Sequence, residues 1–220
     1  MITLDQRLTA VAALVRPGSR LADIGTDHAY LPVHLVQAGV CPSAIASDIG
    51  AGPLDAARHT VTAAGLTDTI ALRLGNGLAT VTAEEVDDIA IAGMGGETIA
   101  AILEAAPWVR DDRLQLILQP MTRAEDLRRW LLQNGFTVTE EHLIVDGRHL
   151  YPVLAVQYTA APPCADETLI YGGFFGVEEG RPYRRMMAEH LRRRAAGLTH
   201  GGDIDGAAHL TALSQQLEQM

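Results

Sequence analysis

The sequence predicts a doubly wound, Rossmann-like α/β domain with a mostly parallel sheet and an antiparallel terminal strand, followed by an antiparallel helical hairpin. Three observations carry this. Short apolar runs alternate with helical segments up to residue 135, and strands joined by crossover helices pair in parallel. The stretch "LADIGTDHAYLP", residues 21–32, starts as a strand and opens at Asp23-Ile24-Gly25 into a tight turn before a helix, as nucleotide-binding folds do. Beyond residue 158 the strand signal stops and two amphipathic helices remain.

The elements follow in order. "TLDQRLTAVAALV" is a helix: Thr3 and Gln6 match a capping box, Leu4, Leu8, Val11 and Val15 keep the helical period, and Pro17-Gly18 ends it. "RLADI" is the first strand and "YLPVHLVQAG" the next helix, with Pro32 in its first turn and Gly39 at its end. "SAIASDI" and "GPLDAARHTVTAAG" repeat the unit, and "IALRLG" is a third strand. "DDIAIAGMGG" reads as a strand opening into a glycine turn, with "ETIAAILEAA" the helix behind it. "LQLILQP" and "RAEDLRRWLLQNG" are a fifth strand and its helix, closed by Asn134-Gly135. "FTVTEEHLIVDGRHLYPVLAVQY" holds two strands joined at Asp146-Gly147, a hairpin signal that makes the terminal strand antiparallel. These elements make one domain over residues 1–158. "AAPPCADE" is a linker, and residues 159–220 hold the hairpin, with Tyr183, Met187, Leu191 and Leu198 on one helix face and Leu210, Leu213, Leu217 and Met220 on the other.

The chain of 220 residues is 48% apolar, enough for a packed core. No apolar run approaches the roughly 20 residues needed to span a bilayer, and the N-terminus lacks the order of a secretory signal. With Cys41 and Cys164 far apart and no CxxC, the expectation is two reduced thiols in a cytoplasmic protein without membrane attachment. No His/Cys cluster has metal-ligand spacing, so no metal is expected. The oligomeric state is open, a monomer being sufficient. Net charge is −10, which disfavours broad attachment to nucleic acid or anionic lipid. Yet all 17 basic residues are arginine, and they cluster at Arg123, Arg128 and Arg129 and again from Arg181 to Arg194. A local basic face on an acidic chain leaves RNA open as a substrate.

Ligands of open α/β sheets bind at the carboxyl ends of the strands. There the chain places Asp23, Gly25, Thr26, Asp27 and His28, then Asp48 and Ile49, Asn76 and Gly77, Gly93-Met94-Gly95-Gly96, and Gln119-Pro120. Asp48 follows the first turn at the distance suited to a ribose diol. A dinucleotide needs glycines that let backbone approach its pyrophosphate, whereas Asp27 sets a negative charge there. S-adenosylmethionine has no phosphate; its cationic amino-acid end is compatible with Asp23 and Asp27, and Asn76-Gly77 could meet its adenine. Tyr30 packs under the cofactor or faces an incoming base, and His28 reads more readily as a scaffold than as a base.

"DIGTDHAYLP", "IAGMGG" and "LILQP", in this order and with a C-terminal helical hairpin, resemble the bacterial TrmK family over nearly the whole chain. That resemblance implies a class I methyltransferase domain that uses S-adenosylmethionine to methylate N1 of the adenine at position 22 of tRNA, and a C-terminal antiparallel coiled coil. The chain has no Asn/Asp-Pro-Pro-aromatic motif of the kind that holds exocyclic amines. N1 of adenine carries a free lone pair at neutral pH, so positioning suffices. Gly93, Met94 and Gly95 are then expected to hold the base edge through backbone groups, and Asp27 to stabilise the positive charge that develops on it. Arg123, Arg128, Arg129, Arg184 and Arg185 are expected to contact RNA phosphates. A methyltransferase of small molecules, and a cofactor-binding RNA or protein interaction module without turnover, remain alternatives from the residues alone; an NAD enzyme ranks behind both.

Overall fold

The computed structural model describes residues 2–220. Helix α1 (Gln6–Leu14) precedes β1 (Leu21–Ile24), α2 (Tyr30–Gln37), β2 (Ala44–Asp48), α3 (Ala51–Ala63), β3 (Ile70–Leu74), β4 (Asp88–Gly95), α4 (Gly96–Glu104), β5 (Gln115–Thr122) and α5 (Ala124–Gln133). The hairpin β6 (Phe136–Asp146) and β7 (His149–Tyr158) follows, then α6 (Glu167–Gly172), α7 (Val177–His200) and α8 (Ile204–Gln219). The seven strands form one sheet in the order β3-β2-β1-β4-β5-β7-β6, with β7 antiparallel to both neighbours and the other pairs parallel. The chain winds outward from β1 to β3 and returns to place β4 beside β1. That reversal opens a crevice at the carboxyl ends of β1 and β4.

Side-chain alternation along each strand builds two cores. Ala22 and Ile24 of β1 join the face covered by α4 and α5 through Ile99, Leu103, Leu127 and Leu131. Leu21 joins the opposite face, covered by α1, α2 and α3 through Val11, Leu31, Leu35 and Val61. Asp23 shares the parity of Leu21, so its carboxylate stands on the α1/α2 face. Helix α1 packs across β4 to β7, and the Arg16 guanidinium just after it is clamped to the buried Asp88 at the foot of β4 (Nε–Oδ1 2.7 Å). The α1 N-terminus is thereby held over the crevice.

Four local expectations change. The cap of α1 is Asp5, whose carboxylate accepts from Leu8 N at 2.7 Å, so the Thr3/Gln6 capping box does not form. The glycine segment is not a free turn: β4 runs on through Gly95, with register irregularities at Met94, and α4 starts at Gly96. The segment read as a linker leads directly into α6, capped by Asp166. Helix α7 starts at Val177, before Gly180, and carries Pro182 within it. Tyr183, Met187 and Leu191 of α7 bury against Leu210, Leu213 and Leu217 of α8 as their spacing predicts, while Met220 stays exposed. Leu132, Leu143 and Leu150 from the sheet domain pack against the same cluster. Among the described residues, no helix is long and apolar enough to cross a membrane.

Candidate active site

The turn after β1 has an alternating backbone. Gly25 (φ +75°), Asp27 (φ +51°) and Ala29 (φ +56°) are all left-handed. These are the alternate positions at which a glycine-rich turn would place its glycines. Here one glycine, one aspartate and one alanine adopt the same geometry. Left-handed backbone costs an L-residue about 1–2 kcal/mol, less for Asp, which tolerates it best. A side chain at Gly25 would be strained by the left-handed backbone and would push the Met94 methyl aside.

Two carboxylates brace this turn. Asp48, at the end of β2, accepts from Asp27 N at 3.2 Å and Gly50 N at 2.8 Å. Asp23 is buried and accepts from the Thr26 hydroxyl at 2.5 Å. Burial pushes the Asp23 carboxyl up to about 6, opposed by the Thr26 hydroxyl and assisted by the nearby Asp48 charge. Beyond them, His28 and Tyr30 stack with ring centroids 5.2 Å apart, and His28 Nε2 stands 3.5 Å from the Asp27 carboxylate. Tyr30 is 42% exposed, so its outer face is free to receive another ring.

A cavity of about 410 Å³ brings together Asp23, Gly25, Thr26, Asp27, His28, Tyr30 and Gly93. Sequence reasoning missed its opposite wall, which α1 supplies through Asp5, Arg7 and Leu8, with Met121 from β5. It also missed the role of Gln119. This fully buried amide accepts from Gly93 N at 3.1 Å and from Arg7 Nη1 at 2.9 Å, and donates to Pro120 O at 3.0 Å. The Gly93 N–H is therefore committed to Gln119, so of that peptide only the carbonyl is left for a ligand. Gln119 was legible as a polar residue at a strand end; Arg7 carried no signal, because its position depends on where α1 docks.

The other expected residues stand around this cavity rather than in it. Asn76 and Gly77 line a second cavity of about 400 Å³ with Thr98, Ile102 and Trp108. Asp48 connects to the first cavity through Asp27, and Ile49 beside it is 71% exposed. Met94 covers Gly25, and Gly95 caps α4.

The arginine set divides. Arg128 is fully buried: Nε lies 3.0 Å from Glu141, and Nη1 donates to Tyr183 Oη at 3.1 Å and Ile170 O at 3.2 Å. Arg184 is buried against Gly180 and donates to the carbonyls of Phe175 (2.7 Å) and Val177 (3.1 Å). Neither can reach a phosphate: Arg128 is consumed where the hairpin packs on the sheet domain, and Arg184 by the segment that leads into α7. Arg123 is exposed but pairs with Asp126 and Glu97. Arg129 and Arg185 make no ion pair among the described residues, Arg185 on an exposed face and Arg129 half-buried.

The comparisons with known proteins agree with this geometry. A family model described as a methyltransferase domain matches residues 4–154. A Bacillus subtilis tRNA (adenine(22)-N(1))-methyltransferase is 38% identical over 196 residues, which is 87% of this chain and 82% of the relative. A Streptococcus pneumoniae structure solved in complex with S-adenosyl-L-methionine is 33% identical, with a TM-score of 0.82 over 98% of this chain and 100% of its own. The structure of M. capricolum TrmK in complex with S-adenosyl-homocysteine is 27% identical, with a TM-score of 0.81 over 98% of each chain.

Proposed function

Because the chain belongs to the TrmK family of methyltransferases, we propose that it transfers a methyl group from S-adenosylmethionine to N1 of the adenine at position 22 of tRNA, in the cytoplasm. The observation that carries this reading is the cavity at the β1/β4 crevice, walled by carboxylates and an exposed aromatic ring and roofed by α1.

The residues fit the cofactor on their chemistry. Each Asp48 oxygen accepts one backbone N–H and keeps a lone pair for a ribose hydroxyl. Exposed Ile49 offers apolar surface to a purine, and Asn76 and Gly77 offer donors and acceptors to its edge. Asp23 and Asp27 complement an ammonium group. S-adenosylmethionine, when bound, supplies an electrophilic methyl on a sulfonium. The chain's own part is to hold adenine with N1 in line and to exclude other geometries. No general base is required, since N1 has no proton to lose. Tyr30 would stack the incoming base, and the Gly93 carbonyl would accept from its exocyclic amine. Charge passes to the base during transfer, and Asp27 stands at the cavity to stabilise it.

The decisive experiment incubates the protein with unmodified tRNA and labelled S-adenosylmethionine, then digests the tRNA and locates the labelled nucleoside. We expect 1-methyladenosine at position 22. Label in another nucleoside, or none in tRNA with cofactor binding intact, would overturn the reading.

A further inference from the structure

Arg129, Tyr171 and Arg194 meet where the sheet domain joins the helical hairpin. Arg129 projects from α5, Tyr171 from α6 and Arg194 from α7. Arg129 Nη2 lies 3.5 Å from Tyr171 Oη, and Arg194 Nη1 lies 3.3 Å from the same oxygen. The Arg129 guanidinium also rests over the Tyr171 ring, 5.8 Å from its centroid. Two guanidinium groups thus converge on one neutral hydroxyl.

We propose that this junction is a binding site for a phosphodiester of the RNA substrate. Among the described residues neither arginine has a carboxylate partner, although the chain has 27 acids against 17 arginines. Exposed Arg58, Arg113, Arg181 and Arg192 each pair with a carboxylate. Exposed Arg148, Arg185 and Arg193 also make no ion pair among the described residues, but only Arg129 and Arg194 converge on one shared hydroxyl. Glu125, one turn before Arg129 on α5, is 3.9 Å from Arg123 instead. Two guanidinium groups facing one neutral hydroxyl concentrate positive potential at this point, which favours an anion.

Its chemistry suits a phosphodiester. Each guanidinium has five donors in a planar fork and spends one on Tyr171, leaving the others for the two non-bridging oxygens. Tyr171 accepts from both arginines, so its own hydroxyl proton is free to donate to the same phosphate. Tyr171 is buried among the hairpin residues, which fixes the hydroxyl before any ligand arrives and lowers the ordering cost of binding. Since the groups come from α5, α6 and α7, one phosphate bound here registers the RNA strand against both the sheet domain and the hairpin. Arg194 belongs to the second arginine cluster of the sequence, with no phosphate assigned to it there, and Arg128, which was expected at a phosphate, is buried in the ion pair with Glu141.

The site rests on tRNA being the substrate, and the test separates the two claims. Arg129→Gln with Arg194→Gln is compared with the unaltered protein for tRNA binding across a salt series, methyl transfer and cofactor affinity. The expected result is tRNA binding weakened about tenfold near physiological salt, with the slope of log affinity against log salt reduced by about 1. Cofactor affinity and kcat at saturating tRNA stay unchanged. Exposed Arg194→Gln alone, which removes no packing, shows about a threefold loss and keeps the test available if the double variant unfolds. Unchanged tRNA affinity and salt slope in folded protein would overturn the site while leaving the methyltransferase intact. Failure of the unaltered protein to methylate tRNA would instead sink the functional reading.

Discussion

Arg128 makes opposite predictions under its two readings. As a phosphate ligand, it could be removed with little effect on folding. In the structure it is fully buried and bonds to Glu141, Tyr183 and the Ile170 carbonyl. Arg128→Met would leave Glu141 a buried charge whose remaining donor is Phe174 N, and would strip the Tyr183 hydroxyl and the Ile170 carbonyl of a partner. Breaking a buried ion pair from one side costs about 3–5 kcal/mol. The two orphaned polar groups belong to the same loss, so about 4 kcal/mol is expected in total. For a chain of this length that lowers Tm by roughly 10–15 °C. Urea unfolding followed by circular dichroism measures it. Adding Glu141→Leu to Arg128→Met should recover most of the stability, because the uncompensated charge is then gone. A loss below about 1 kcal/mol, or no recovery in the double variant, would refute this account of the hairpin's attachment.

Three further outcomes follow from the site. Burial holds Asp23 up at about 6, from 3.8. The sign is that of a raised acid: folding favours the protonated form, and stability is lost as pH rises from about 4 through 6. Asp23→Asn should therefore gain on the unaltered protein by at most about 3 kcal/mol across that window and lose cofactor affinity at neutral pH; urea midpoints differing by the same amount at pH 4 and pH 7.5 would contradict it. Gly25→Ala combines a left-handed backbone with a collision against Met94, so cofactor binding measured by calorimetry should fall at least tenfold while the sheet still forms. Asp27→Asn should lower kcat about tenfold at saturating cofactor and also weaken cofactor binding, because the same carboxylate complements the ammonium end; full turnover at saturating cofactor would remove Asp27 from charge stabilisation.

The alternation of strand and helix was legible in the sequence because a strand repeats every two residues and a helix every 3.6, and each announces itself locally. The strand-end residues were legible for the same reason: once the strands are known, their carboxyl ends are known. The tight strand-to-helix turn at "DIGTDHAYLP" was legible, but its left-handed Asp27 and Ala29 were not, because residue type seldom announces positive φ outside glycine. Asn76 and Gly77 were foreseen as strand-end residues but not as the wall of a separate cavity.

The sequence by itself determined the parallel sheet, its antiparallel terminal hairpin, the carboxylates at the crevice and the paired C-terminal helices, since all of these follow from periodicity and short-range turn chemistry. Only the tertiary structure decided which charged side chains face solvent. Arg128 and Arg129 are neighbours on one helix, about 100° apart around its axis. One turns into the seam with Glu141 and the other toward Tyr171. The same holds for Arg7 and Gln119, far apart in sequence and joined only because α1 docks across β5. A charge pattern states how many cations a segment carries; which of them are buried depends on the surface that the rest of the chain brings against that segment.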